Sequence, residues 1–399
     1  MSPGARPLRP DDVDAWMRIR QASYGQPRDL HDPAARRTLE ARVGISRGVD
    51  DDGDLAAVAT WYPYRFWIGG TEVPVGALAG VATAPWVRRR GHVRTLVREG
   101  LQELHEAGTG WALEHPFDPA FYGAMGFRTV PAGVTVRLPL SDWPGRRALP
   151  EFGPVPLDDP ELRRDRASFA SRHNFALQRD GIATDGPDRP DPRWLRLSEP
   201  PSDDATPPVA YRANDGYAVI ATEGYGPDGT VHVLDAAWRD ARARERVLAL
   251  PNAWRGQVGW IRIDLPSHDP VALDLAGRYA HPRTLLQARI ADLPGALRPL
   301  RAPSNRLARS GVMDVHDPFA PWIHGRWEVA LTTDGCEVRP TDRSEDLTVT
   351  ASALAAALAG VPVAPLLHAG EAEGDADLLR ALASTTADQP EFLGTIDFF

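Results

Sequence analysis

The hydrophobic positions of this chain change period repeatedly, and the changes outline its elements. Asp11 and Asp14 open a stretch in which Val13, Trp16, Met17 and Arg20 recur at helical spacing, so a capped helix is predicted there. Residues 55 to 67 and 71 to 84 read as two strands, joined as a hairpin at Gly69-Gly70. The helical period returns from Val93 to Glu106, with Leu96, Val97, Leu101 and Leu104 on one face. Gly110 to Leu113 then begins another strand. Strand, helix and strand in that order predict a parallel pair with a crossover. Such units bind ligands at the carboxyl ends of their strands.

Leu138 to Pro160 is rich in Pro, Gly and Asp and marks a boundary. A second unit is predicted beyond it. It has a helix over 163 to 177, a polar loop over 179 to 208, and strands over 208 to 212, 216 to 223 and 231 to 238. A helix over 241 to 251 and a strand over 258 to 263 complete it. The order repeats the first unit, without a phosphate-type turn at the equivalent point. A third unit starts near Arg306, with strands over 311 to 315 and 326 to 340, alternation over 346 to 350, and helices over 351 to 358 and 376 to 382. Its last residues, Glu391 to Phe399, read E-F-L-G-T-I-D-F-F, where chain ends are normally polar and frayed.

Composition narrows the classes of function. A length of 399 residues predicts two or three domains. Hydrophobic content of 43% and charged content of 25% are those of a soluble globular protein. The net charge of −9 and the scatter of the basic residues argue against nucleic acid as a partner. The sequence contains no lysine, so every lysine-based mechanism is excluded. A single cysteine, Cys336, excludes an intrachain disulfide and a cysteine-rich zinc site. It follows Asp334-Gly335 and reads as a hairpin strand residue, not a nucleophile. No H-E-x-x-H or paired-cysteine spacing points to a metal. The N-terminal residues lack the apolar core of a signal peptide. The Ala-rich stretch from Ala351 to Gly370 is broken by Gly360, Pro362 and Pro365, as a buried helix with an exit loop would be. A cytoplasmic protein with no membrane partner is expected. His-Asp-Pro recurs at His31, His268 and His316, each reading as a cap followed by a helix or turn start.

The chemistry concentrates between Val81 and Tyr122. A strand end, Gly80 to Ala84, breaks at Pro85, and Arg88, Arg89, Arg90 and Gly91 follow before the helix at Val93. A helix N-terminus offers unpaired N–H groups and the positive end of a dipole. Gly91 lets backbone approach a phosphate, and arginines add charge-assisted hydrogen bonds. The turn therefore reads as a pyrophosphate site. Further on stands E-H-P-F-D-P-A-F-Y-G-A-M-G-F-R, in which Tyr122 precedes Gly126-Phe127.

Together the Arg/Gly turn and F-Y-x-x-x-G-F resemble the GNAT acyltransferase superfamily, whose members transfer an acyl group from acyl-coenzyme A to an amine. Chain length, two successive GNAT-like units and the aromatic end narrow the resemblance to the Eis (enhanced intracellular survival) group. The resemblance implies an α/β (α+β) fold in three parts. These are a catalytic GNAT domain over 1–145, a central GNAT-like domain without coenzyme over 146–295, and a sterol carrier protein-like domain over 296–399. It implies acetyl-CoA as the donor, a small-molecule amine such as an aminoglycoside as acceptor, and a homo-oligomer, a hexamer. By motif, Val81, Ala82 and Thr83 would hold the pantetheine arm, and Arg88, Arg89, Arg90, Gly91, His92 and Val93 the pyrophosphate. Tyr122 would be the general acid, since a phenol can protonate a thiolate of comparable basicity. The Phe399 carboxylate would be the general base, with Glu114 and His115 as the other candidates. The sequence departs from the family at Gly80, where an aromatic lines the acceptor pocket, and at Phe117, where a serine contacts the coenzyme. The alternative is a non-catalytic protein that binds acyl-CoA or an apolar ligand as a sensor.

Overall fold

The computed structural model describes residues 4–25, 33–144, 152–180, 194, 196–282, 286–394 and 397. The first sheet takes β1 (Ala5–Pro7), β2 (Ser46–Asp51), β3 (Asp54–Ile68), β4 (Thr71–Thr83), β5 (Trp111–Glu114) and β6 (Arg128–Thr129). The predicted Gly69-Gly70 hairpin joins β3 to β4, with both glycines at positive φ. Helix α1 (Val13–Tyr24) buries Val13, Trp16, Met17 and Ile19 beside Val58 of β3 and Ala82 of β4. A second short helix, α2 (Pro33–Glu40), follows it. Helix α3 (His92–Glu106) crosses between β4 and β5, and those strands pair in parallel as expected. It packs Leu96, Val97 and Leu101 against Ala57, Ala59, Leu78 and Ala112. After β5 comes α4 (Pro119–Gly123), whose start is capped by the Asp118 carboxylate.

The second sheet contains β7 (Val134–Pro139), β8 (Gly153–Val155), β10 (Val209–Ala213), β11 (Gly216–Glu223), β12 (Gly226–Trp238), β13 (Val258–Leu265) and β14 (Ala280–Pro282). Helix α5 (Pro160–Ala170) is shorter than the sequence suggests. It ends at Ala170 in tighter turns, Arg172 N–H donating to Phe169 O and His173 N–H to Ala170 O; Phe175 then has φ 55°, and β9 (Ala176–Leu177) pairs with Phe66 and Trp67 of β3.

The two sheets exchange strands. Strand β7 pairs with β13 of the second sheet, while β15 (Gln287–Ile290) inserts between β5 and β6 of the first. Both sheets therefore draw strands from each side of the linear division at residue 145. We keep 1–145, 146–295 and 296–399 as our proposal for the three units, with β7 passing to the second sheet and β9 and β15 to the first.

The third sheet is built from Arg309–His316, Gly325–Leu331, Cys336–Pro340, Leu347–Thr350 and Ala372–Gly374. Cys336 is a buried strand residue, and burial pushes its thiol up to about 12. The helix Ala351–Leu358 is buried at every position but Ser352 and lies in one continuous core with Trp111, Leu113, Ala288 and Ile290 of the first sheet. The third unit is thus seated on the first, across the exchanged strand. Asp269 caps the helix Pro270–Asp274, and Asp317 accepts the N–H groups of Phe319 and Ala320, as two of the His-Asp-Pro motifs suggest. His31 lies outside the described residues.

Candidate active site

Strands β4 and β5 fork. Their parallel register runs from Val75↔Trp111 to Leu78↔Glu114 and ends there, while β4 continues to Thr83 beside β3 alone. A bulge opposite Val58/Thr60 falls at Gly80-Val81, and Gly80 has φ 61°. Ala82 is paired with Val58, and Ala84 donates to Ala56 O, so alternation turns the polar groups of Val81 and Thr83 into the fork. There the Tyr24 hydroxyl donates to Val81 O at 2.8 Å and the Ser23 hydroxyl to Thr83 O at 2.9 Å.

The fork opens into a cavity of about 820 Å³. Val81, Ala82, Thr83, Arg88, Arg89, Arg90, Gly91, His92 and Val93 all line it, so the structure gathers every coenzyme contact expected from the sequence into one space. Gly91 is the N-cap of α3, with φ 88° and no side-chain cap, which leaves the first helical N–H groups unoccupied by any capping side chain. Arg89 has φ 66°, a conformation rare outside glycine. Arg90 is turned aside, held by Asp51 at 2.6 Å, while Arg88 and Arg89 make no ion pair among the described residues.

Tyr122 stands on α4, buried beneath Phe117 and Phe121, whose rings meet it edge-on at 5.8 and 5.1 Å. Phe117, where the family carries a serine, is an exposed wall of the cavity. Burial raises the Tyr122 phenol above its usual value, and the charges of Glu114 and Tyr24 raise it further. Glu114 occupies the crotch of the fork, is 1% exposed, and its Oε1 has no hydrogen-bond partner. Burial pushes its carboxyl up to about 8. Phe399 lies outside the described residues, but Asp397 is fully buried. Arg166 donates to it at 2.7 Å and Arg179 at 2.6 Å, and Arg179 also holds Asp235 at 2.7 Å.

One positioning group escapes sequence reasoning. The guanidinium of Arg289, on the exchanged strand β15, donates to Met125 O and to Asp317 at 2.8 Å. It lies directly under Gly126, where a Cβ would come within 1.8 Å of Nη1. The glycine four residues after Tyr122 therefore exists to admit Arg289, which ties the tyrosine loop to the third unit. Nothing local to residue 289 signals this; His316-Asp317-Pro318 supplies half of the pair.

Residues 4–130 match the GNAT acetyltransferase domain, and residues 293–394 the sterol carrier protein domain. The chain is thus an acetyltransferase with an N-terminal GNAT domain and a C-terminal sterol carrier protein domain. Its acetyl donor is acetyl-CoA, as for GNAT acetyltransferases generally, and the uncapped helix and Arg88–Gly91 turn suit a pyrophosphate. The chain is similar to an uncharacterized N-acetyltransferase of Streptomyces coelicolor, 28% identical over 410 residues and 92% of each chain. It shares the fold of a GCN5-related N-acetyltransferase from Kribbella flavida, with TM-score 0.79 and 23% identity over 99% of this chain and 98% of that one. It likewise shares that of Eis1 from Mycobacterium abscessus, with TM-score 0.73 and 20% identity over 98% and 97% of the two chains. Among the described residues no helix is long and apolar enough to cross a membrane.

Proposed function

We propose direct transfer of the acetyl group from acetyl-CoA to the amine of a small molecule, with Tyr122 as general acid. The observation that carries this reading is the single cavity running from the Arg88–Gly91 turn along the open edge of β4 to Phe117 and Phe121, with Tyr122 beneath them. The neutral amine attacks the thioester carbon and a C–N bond forms; the C–S bond breaks, Tyr122 gives its proton to the departing thiolate, and the proton shed by the new amide nitrogen restores the phenol through solvent.

The amine must first lose a proton. The Eis resemblance assigns that proton to the Phe399 carboxylate, and the anchoring of Asp397 two residues earlier supports a held tail. Glu114 is a second reading, favoured by its buried, unpartnered oxygen at the fork. A base works best with a pKa near the working pH, and a carboxyl at about 8 meets that condition. Its charge also raises the Tyr122 phenol, so accepting a proton at Glu114 would strengthen Tyr122 as an acid.

Thiol release from acetyl-CoA with a panel of amines tests the activity, and no release with any amine refutes it. Glu114→Gln and a chain extended past Phe399 separate the two bases. If Glu114 is the base, Glu114→Gln removes the rise in rate that is centred near pH 8. An acceptor whose amine is already neutral restores most of the rate. If the tail is the base, the extended chain is the inactive one.

A further inference from the structure

We infer that Arg94 receives the 3′-phosphate of coenzyme A and is held for that task by Phe319 of the third unit. This rests on the coenzyme occupying the forked cavity, and it extends that reading to a residue and a domain outside the motifs. Arg94 lines the cavity together with the Arg88–Gly91 turn. It stands three residues past Gly91, roughly 4.5 Å along the axis of α3. In coenzyme A a single ribose separates the pyrophosphate from the 3′-phosphate, a monoester of roughly two negative charges. Arg88, Arg89 and the uncapped start of α3 answer the pyrophosphate, which leaves the monoester in need of its own cation. Arg94 is exposed and makes no ion pair among the described residues. Its neighbours on the same helical face, Arg90, Val97 and Arg98, include no carboxylate, so α3 supplies its charge with no counterion.

The contact that Arg94 does make is with a ring. Its guanidinium carbon stands 4.7 Å from the centre of Phe319, which is 3% exposed. An aromatic face attracts a guanidinium electrostatically and takes none of its N–H donors. Arg94 is therefore oriented with its hydrogen-bonding edge free, as phosphate recognition requires. Phe319 is itself fixed twice. Its N–H donates to Asp317 at 2.9 Å, and its ring shares a core with Leu101, Met125 and Phe127. Met125 also lines the cavity, and Asp317 is held in turn by Arg289 at 2.8 Å. The third unit thus reaches the coenzyme site through one side chain. Arg98, one turn further along α3, lies 5.2 Å from the same ring but lines a different cavity, with His105, Pro318 and Trp322. It provides an internal control.

Calorimetric titration of the full chain with coenzyme A and with dephospho-coenzyme A, which lacks only the 3′-phosphate, tests this without turnover. The parent should bind coenzyme A roughly 10-fold more tightly, the worth of one charge-assisted hydrogen bond. Arg94→Gln should bring that ratio close to one by weakening coenzyme A alone, and Arg94→Lys should keep part of it. Phe319→Leu, which keeps an apolar side chain without a ring, should lower the ratio, and Phe319→Tyr should retain it. Arg98→Gln, with the same loss of charge on the same ring, should leave the ratio unchanged. Equal affinity of the parent for the two ligands overturns the inference. So does a ratio that survives Arg94→Gln or falls as far in Arg98→Gln. The parent's ratio in Phe319→Leu overturns the part given to the third unit. Arg88→Gln separates the inference from the reading beneath it, since it should weaken both ligands alike. If Arg88→Gln does so and Arg94→Gln is silent, the cavity stands and the assignment of Arg94 falls. If neither variant alters either ligand, the coenzyme lies elsewhere and both fall.

Discussion

The turns after β4 and β12 occupy equivalent places in their sheets and end in opposite chemistry. Each strand bulges against its neighbour, at Gly80-Val81 opposite Val58/Thr60 and near Leu234 opposite Val219/Ile220, and each runs parallel to the strand beyond its helix. After β4 the chain inserts an arginine turn and starts α3 on Gly91 with no side-chain cap. After β12 it starts the helix Ala241–Ala249 directly on Asp240, whose carboxylate accepts the N–H of Ala243. The second helix thus carries its own anion where the first leaves room for a foreign one. The forks differ in the same sense. Ala82 of β4 corresponds in register to Asp235 of β12, which is saturated by Arg179 and by the Tyr217 hydroxyl at 2.6 Å. One fork is apolar with a lone carboxyl at Glu114; the other is filled with paired charge that also grips Asp397. Two similar arrangements thus differ in that one leaves its helix start uncapped and the other fills its fork with charge that holds Asp397.

The widest separation between the two units comes from their buried tyrosines. Tyr122→Phe should lower kcat by roughly 100- to 10,000-fold, the usual worth of a positioned proton donor, with little change in melting temperature. Tyr217→Phe should do the reverse, leaving Asp235 one hydrogen bond short and costing stability on the order of 1–2 kcal/mol. Steady-state kinetics beside thermal denaturation on both variants decides it, and wild-type turnover in Tyr122→Phe removes that residue from the mechanism.

The lone carboxyl predicts a pH dependence of folding. Glu114 is raised from 4.5 to about 8, so the folded chain keeps a proton that the unfolded chain has already lost. Its contribution to stability is therefore full below about pH 4.5 and is lost as pH rises through 8. Glu114→Gln, a neutral isostere, should be more stable than the parent at pH 9 by on the order of 3 kcal/mol, and no different at pH 4. Denaturant melts at both pH values check the sign.

Much of this contrast is legible in the sequence, and the unread part has a physical cause. The hairpin at Gly69-Gly70, the α3 stripe and the Arg88–Gly91 turn are local patterns, and the structure places them as read. The second unit's order was also legible, down to its missing phosphate turn. Strand exchange was not, because β7 and β15 have the same strand character in either sheet and only partner choice distinguishes them. Arg289 escaped for the same reason: its role depends on Met125, Gly126 and Asp317, which only the exchanged strand brings together. The helix expected beyond Ala170 is absent because Ala176 and Leu177 pair with β3 instead, a long-range contact that no local propensity anticipates.

Copying the central unit's anion into the first tests the comparison directly. Gly91→Asp puts a carboxylate at the N-cap of α3, where a Cβ meets no atom within 4 Å, although φ 88° adds some backbone strain. The KM for acetyl-CoA should rise roughly 10- to 100-fold if the pyrophosphate binds here as proposed, since a resident negative charge repels it from the helix start. Gly91→Asn carries similar strain without the charge and should fall between Gly91→Asp and the parent. Equal losses in the two variants would mean that strain, not charge, governs the turn.

The smallest effect is expected where the copy has closed its own site. Asp240→Ala removes the carboxylate that accepts from Ala243 N, in a helix that contributes no residue to the lining of the forked cavity. Stability should fall by about 1 kcal/mol, the ordinary cost of losing an N-cap, with the KM for acetyl-CoA unchanged. The informative addition is calorimetry with coenzyme A on the same variant, because uncapping exposes an anion site of the kind α3 already has. A second equivalent of coenzyme A bound by Asp240→Ala would show that the capping carboxylate alone closes the central unit. One equivalent, as in the parent, would assign the closure to the charge packed into its fork, where Asp235, Arg179 and Asp397 leave no apolar edge for a pantetheine arm.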